Sequence, residues 1–442
     1  MRYYSTNNKN FRVSFREAVL SGIAEDGGLF MPEVIPVLPE KLIINMSDMT
    51  LPEIAGEVIR PFVQPMDESS LWKTVHDSMS FTAPLEKISD TLRILELWHG
   101  PTLAFKDFGA RFLARMLSRF LNAEKKEILI LVATSGDTGS AVASGFYGMP
   151  GITVGLLYPQ GKVSWIQEKQ LTTAGGNVVA FEVDGSFDDC QKLVKQAFAD
   201  KDLDKTFYLT SANSINICRL LPQMFYYFYA VSRIRRKDRP LTVCVPSGNF
   251  GNLTAGLVAW KMGLKVDSFI AAVNTNRVFP DFLQTGEFRP QSAKQTLSNA
   301  MDVGNPSNFH RIRDLFNGEI NSLRRIVQSY SVDDEETIIG IREMWQQFRY
   351  LIDPHGAVGY QAIKLHQADN RDDRQYILLE TAHPAKFKDV MEQVIDVRIE
   401  IPDRLAQILS KKKSAVPVRN SYKEFRQQLI KTITGQGRNA GL

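Results

Sequence analysis

The sequence predicts an α/β protein of two parallel-sheet domains, preceded by a mainly helical region. Three observations carry this. From about residue 86, apolar stretches of strand length alternate with amphipathic helical stretches, the pattern of βαβ units. The apolar stretches run without in-and-out alternation, so their sheets are covered on both faces. The length, 442 residues, exceeds what one simple core organises.

Taken in order, residues 1–85 read as the helical region. Ser14 followed by Glu17 is a capping box, so a helix begins there. Asp26-Gly27-Gly28 marks a turn, and prolines at 36, 39, 52, 61 and 65 leave room for short helices and no sheet. Residues 86–400 form the α/β core, with the smaller domain at roughly 108–225. Strands are expected at 93–97, 127–133, 151–158, 177–183, 241–245, 268–273 and 376–380. Helices are expected at 108–121, from about 139, at 164–173 and at 187–199. Met224 to Ala230, rich in aromatics, reads as a core helix. Residues 401–442 are a C-terminal segment.

Composition excludes several classes. Lys and Arg number 53 against 49 Asp and Glu, a net charge of +4, and no basic stripe with interleaved aromatics occurs. Nucleic acid is therefore not an expected partner. Lys411-Lys412-Lys413 reads as a solvated face. Cys190, Cys218 and Cys244 are odd in number and widely spaced, and the six histidines include no HExxH. Neither a disulfide framework nor a metal site is expected, and the chain suits a reducing, cytoplasmic compartment. The first residues are polar, so no signal peptide is visible, and no apolar run reaches the ~20 residues of a membrane span. Monomer and homodimer are both compatible with this composition.

The chemistry concentrates in three stretches. In His99-Gly100-Pro101-Thr102-Leu103-Ala104-Phe105-Lys106-Asp107-Phe108, a lysine stands between two aromatics where a helix begins. Burial there lowers an ammonium's pKa, and a neutral amine can attack a carbonyl to give a Schiff base. Two loops then share one design: a buried strand, Ser-Gly-x-x-Gly, and a helix start. They are Thr134-Ser135-Gly136-Asp137-Thr138-Gly139 and Ser247-Gly248-Asn249-Phe250-Gly251-Asn252. Glycines let backbone approach a ligand, and a helix start offers unpaired N–H groups to an anion. Neither loop matches the Walker or GxGxxG pattern. The uncharged 247–252 loop suits a phosphate. Asp137 would repel one, so the first loop suits a zwitterionic substrate. A Schiff-base lysine, a phosphate cradle and no metal site together point to pyridoxal phosphate.

These stretches resemble threonine synthase of the longer bacterial and fungal type. So do Asp26–Phe30, Ser211–Asn216, Leu297–Asp302 and Thr381-Ala382-His383-Pro384-Ala385-Lys386-Phe387. The likeness runs from about residue 1 to about 400, and the last 40 or so residues add nothing to it. It implies the type II pyridoxal-phosphate fold, tryptophan synthase β-like, with a cofactor cleft between two α/β domains. It also implies conversion of O-phospho-L-homoserine and water to L-threonine and phosphate, by γ-elimination and addition of water at Cβ. Lys106 would carry the cofactor and move protons. Ser247, Gly248, Asn249, Phe250, Gly251 and Asn252 would hold its phosphate, and Thr381 would hydrogen-bond its ring nitrogen. Thr134, Ser135, Gly136, Asp137 and Thr138 would meet the substrate. For the leaving phosphate, Lys162 is the first candidate and Arg219 the second, with Asn213 and Ser214 adding neutral donors. A phospho-lyase or a dehydratase using the same cofactor would release an oxo acid and ammonia instead.

Overall fold

The computed structural model describes residues 1–121, 127–134, 136–235 and 238–439. Two parallel sheets dominate it, as expected. The larger has the order β12-β11-β10-β13-β5-β4. Its strands are β4 (Leu85–Lys87), β5 (Leu92–Glu96), β10 (Leu241–Pro246), β11 (Ser268–Val273), β12 (Val327–Ser331) and β13 (Gln375–Glu380). All pairings are parallel except β4 with β5. The smaller has the order β14-β8-β7-β6-β9 and is parallel throughout. Its strands are β6 (Ile128–Ala133), β7 (Ile152–Pro159), β8 (Val178–Asp184), β9 (Tyr208–Thr210) and β14 (Val416–Arg419).

Every residue of β6, β10, β11 and β13 is buried, which is why these strands read as unbroken apolar runs. The helix Pro354–Asp369 covers one face of the larger sheet and the helix Phe187–Phe198 one face of the smaller. The aromatic stretch is the helix Met224–Ser232, buried as expected. Among the described residues, no helix is long and apolar enough to cross a membrane.

Two departures have physical causes. The N-terminal region is mainly helical, but it opens with a three-stranded antiparallel sheet of order β2-β1-β3: β1 (Arg2–Ser5), β2 (Arg12–Ser14) and β3 (Phe30–Pro32). These strands are too short to show a period. Gly28 makes the packing possible, since a Cβ there would lie 2.0 Å from Ser5 Oγ. The Ser14–Glu17 capping box forms, with both reciprocal hydrogen bonds present. At the other end, the C-terminal segment is not an appendage. β14 adds the outer strand beside β8, and the helix Tyr422–Asn439 packs over it.

This topology positions the candidates. Because β10, β13 and β5 are adjacent and parallel, their carboxyl ends share one edge. There lie the Ser247–Asn252 loop, Thr381 and the stretch leading to Lys106. The carboxyl edge of the smaller sheet carries Thr134 and Gly136–Thr138 after β6, Lys162 after β7 and Asn213 after β9. Ligands of open α/β sheets bind outside such edges.

Candidate active site

Lys106 is the first residue of the helix Lys106–Leu121. The loop before it is fastened by backbone to the exit of β13. Phe105 N–H donates to Thr381 O (2.9 Å), His383 N–H donates to Leu103 O (3.1 Å), and Ala104 bridges Ala382. Asp107 accepts from Thr102 N–H and Oγ1, each at 2.8 Å. A side chain on Gly100 would strike that carboxylate at 2.4 Å. These bonds hold the loop so that Lys106 faces Asp137 after the opposite sheet's β6.

The Lys106 side chain is 17% exposed, and its Nζ lies 3.8 Å from Asp137 Oδ2. Asp137 also pairs with Lys386, whose Nζ is 2.6 Å from Oδ1 and whose side chain is 0% exposed. Lys386 donates to Thr102 O (3.1 Å) as well, and Gln167 Nε2 to Asp137 Oδ1 (3.2 Å). Burial lowers the Lys106 pKa from the ordinary lysine value. Asp137 opposes that shift, while Lys386 and Arg219 add to it. Burial alone would raise the Asp137 carboxyl, but Lys386 and Lys106 hold it well below the usual range. Of the two aromatics flanking Lys106 in sequence, Phe105 lies 5.7 Å from Nζ. Phe108 turns away to pack on Phe81 and Tyr226. The low polarity around the amine therefore comes from the cleft and from Phe105, not from a sandwich of two rings.

The second glycine loop links β10 to the helix Gly251–Lys261. Ser247 N–H donates to Ala272 O (2.8 Å), Asn249 Oδ1 accepts from Ser307 N–H (3.2 Å), and Asn249 O accepts from Asn308 Nδ2 (3.0 Å). A Cβ on Gly248 would lie 2.8 Å from Met301 Cα, so only glycine fits. Phe250 adopts the left-handed conformation at φ 57°, and no side chain caps the helix that follows. Its first N–H groups remain open to an anion. The Asn252 side chain faces the other way, with Oδ1 accepting from Tyr226 and Tyr227 hydroxyls at 2.7 and 2.8 Å. Its Nδ2 is buried and takes no partner among the described residues. Thr381 is buried, and its hydroxyl takes no partner among the described residues.

On the smaller sheet, Thr134 Oγ1 accepts from the N–H groups of Gly136 (3.0 Å) and Gly139 (2.8 Å). Thr138 is half-buried beside them, and Ser135 lies outside the described residues. Lys162 is exposed on the turn after β7. Arg219 is 3% exposed, donates from Nη1 to Ala212 O (2.6 Å) and leaves a buried Nε without a partner. Asn213 Oδ1 is likewise buried and unpartnered, and Ser214 is half-buried beside it. Burial lowers the Arg219 guanidinium to about 10, so it stays charged at neutral pH.

The profile for pyridoxal-phosphate dependent enzymes matches residues 84–380, and that for the threonine synthase N terminus matches 2–79. The profile for the threonine synthase C-terminal region matches 356–430, so the likeness extends past residue 400. The chain belongs to the threonine synthase family. Threonine synthase from Escherichia coli K12 is 43% identical over 410 residues, covering 92% of this chain and 94% of that protein. The crystal structure of the Escherichia coli threonine synthase superposes with a TM-score of 0.91 at 40% identity, covering 98% of this chain and 100% of that one. A pyridoxal-phosphate-bound threonine synthase from Brucella melitensis gives 0.90 at 33% identity, covering 97% and 98%.

The activity is that of a threonine synthase and the cofactor is pyridoxal phosphate. The residues fit that group: an uncapped helix start for its phosphate, a hydroxyl at Thr381 that takes no partner among the described residues, and a half-buried amine at Lys106. Sequence reasoning missed Lys386 and Gln167 as site residues. Lys386 sits between Ala385 and Phe387, so the desolvation argument applied to Lys106 was available for it too.

Proposed function

We propose that the chain forms L-threonine and phosphate from O-phospho-L-homoserine and water, with Lys106 as the residue that carries the cofactor and moves protons at Cα. The contact that supports this best is the convergence of the two sheet edges, where Lys106 Nζ meets an Asp137 already neutralised by Lys386. When bound, pyridoxal phosphate supplies the electron sink for negative charge at the substrate carbons. The amine of Lys106 then has a pKa lowered toward the working range, as a general base requires. Thr381 offers a hydroxyl, which hydrogen-bonds a ring nitrogen without the negative charge that would keep it protonated. Asp137 holds Lys386 and faces Lys106, while the N–H groups of Asp137 and Thr138, at the start of their helix, meet the substrate carboxylate.

For the substrate phosphate, Arg219 is the stronger candidate. It is buried, charged and carries an unpartnered N–H. Such a preorganised cation stabilises charge as the phosphate leaves. Lys162, exposed on its turn, is a weaker clamp.

The test is to incubate purified protein with O-phospho-L-homoserine and measure phosphate and threonine together. Equal amounts of both are expected, and oxo acid with ammonia would refute the assignment. Lys106→Ala should cut turnover by on the order of 10³-fold or more. It should also end the attachment of cofactor that borohydride fixes on the native protein.

A further inference from the structure

Arg311 lies in the short helix Phe309–Leu315, and its side chain is 0% exposed. Its donors all end on neutral oxygens. Nε and Nη2 reach Phe30 O at 3.2 and 3.1 Å, and Nη2 reaches Ile215 O at 2.6 Å. Nη1 reaches Ser214 O at 3.3 Å and Asn308 Oδ1 at 2.8 Å. Among the described residues, no carboxylate lies within ion-pair distance. Burial lowers its pKa to about 9, so it is a full positive charge at neutral pH. A buried charge without a counter-ion is costly, and neutral side chains could supply the same bridges to carbonyls.

Its location gives the charge a use. Asn308, held by Arg311, donates to Asn249 O of the cradle. A Cβ placed on Gly251, at the first turn of the cradle helix, would lie 3.4 Å from Asn308 Nδ2 and 3.9 Å from Ser214 Cβ. Two of the four residues that Arg311 bonds, Asn308 and Ser214, therefore line the cradle, and Ser214 also belongs to the loop that carries Asn213. One guanidinium stands a single residue behind both regions assigned to phosphate groups.

We propose that Arg311 is the buried counter-charge for the phosphate monoester bound at Ser247–Asn252, and a positioning residue for the Asn213–Ser214 loop. The inference rests on the assignment of Ser247–Asn252 as the cofactor-phosphate cradle. Without a phosphate the charge is uncompensated; with one, the two offset each other across one layer of side chains.

The experiment compares pyridoxal phosphate with pyridoxal, which lacks the phosphate, in spectral titrations of the cofactor-stripped protein. Arg311→Gln should weaken pyridoxal phosphate at least tenfold and change pyridoxal less than threefold. A merely structural bridge would weaken both equally, and that result, or an unchanged ratio, overturns the proposal. If Arg311→Gln does not fold, Arg311→Lys decides. It keeps the charge and loses the fork of donors, so a retained preference for the phosphorylated ligand supports the proposal and a lost one overturns it. Gly251→Asp separates the two assignments by placing a carboxylate in the cradle. If the preference survives Gly251→Asp, the cradle assignment fails. If it collapses there but survives in Arg311→Gln, only the role of Arg311 fails.

Discussion

The two glycine loops begin from the same pattern and end in different states. The 134–139 loop folds inward. Thr134 takes the N–H groups of Gly136 and Gly139, and Asp137 is shared between Lys386, Gln167 and Lys106. The 247–252 loop turns its polar side chains away. Asn252 goes to two tyrosines, Asn249 to Ser307 N–H, and the helix start stays uncapped. Spacing therefore says where backbone approaches a ligand, and one residue decides what the approach is for. With an aspartate the loop holds charged side chains in place; without a charge it keeps its N–H groups for an anion.

The comparison breaks first at Asp137. Removing one partner of a buried ion pair leaves the other charge stranded, which costs ~3–5 kcal/mol. Asp137→Asn should therefore lower thermal stability of the cofactor-stripped protein by that order, with Lys386 left buried and unmatched. Adding Lys386→Met should recover most of the loss, since two neutral groups then meet. A single-variant cost under about 1 kcal/mol would mean the first loop is not organised by charge. The sign with pH follows. The folded Asp137 carboxyl lies below its ordinary 3.8, so its stabilisation is full above that value and is lost as pH falls further. Asp137→Asn should remove that part of the acid sensitivity.

A second measurement sharpens the contrast by about one pH unit, or ~1.4 kcal/mol. The rate at which Lys106 is modified by pyridoxal, trapped with borohydride, follows the fraction of neutral amine. Asp137 favours the ammonium form of Lys106, whereas Lys386 opposes it. Asp137→Asn should shift the inflection to lower pH. Lys386→Met should shift it higher, because it removes a repelling charge and leaves Lys106 as the main cation on Asp137. Asn252→Ala, in the uncharged loop, should leave it in place. Shifts of the same sign in the first two variants would contradict the arrangement.

Much of this was legible in the sequence because the signals are local. Unbroken apolar strands, the Ser14–Glu17 box and the Ser-Gly-x-x-Gly loops each act within a few residues, and each forms where the pattern put it. What escaped depends on distant partners or on strands too short for a period. β14 is a four-residue edge strand containing a proline, recruited by β8 more than 230 residues earlier in the chain. Lys386 grips Thr102 and Asp137 from the far end of the core. Arg311 is buried against carbonyls of Phe30, Ser214 and Ile215, all about 100 or more residues earlier, so no local signal marks it.

The smallest expected effect concerns Lys162, and it tests whether charge on the smaller sheet's edge acts beyond Asp137. Lys162 follows Gly161, whose φ of 67° sets a tight turn that carries the side chain into solvent. A flexible, exposed ammonium contributes about 0–1 kcal/mol to a contact, and salt screens it. Arg219, by contrast, is already desolvated and holds an unpartnered N–H in place before any anion arrives. Lys162→Ala should therefore raise KM for O-phospho-L-homoserine by less than about threefold and leave kcat unchanged, with the difference vanishing at high salt. A salt-insensitive loss above tenfold would place the phosphate clamp on the β7 turn. The first loop would then border the substrate phosphate, and its separation in role from the 247–252 cradle would no longer hold.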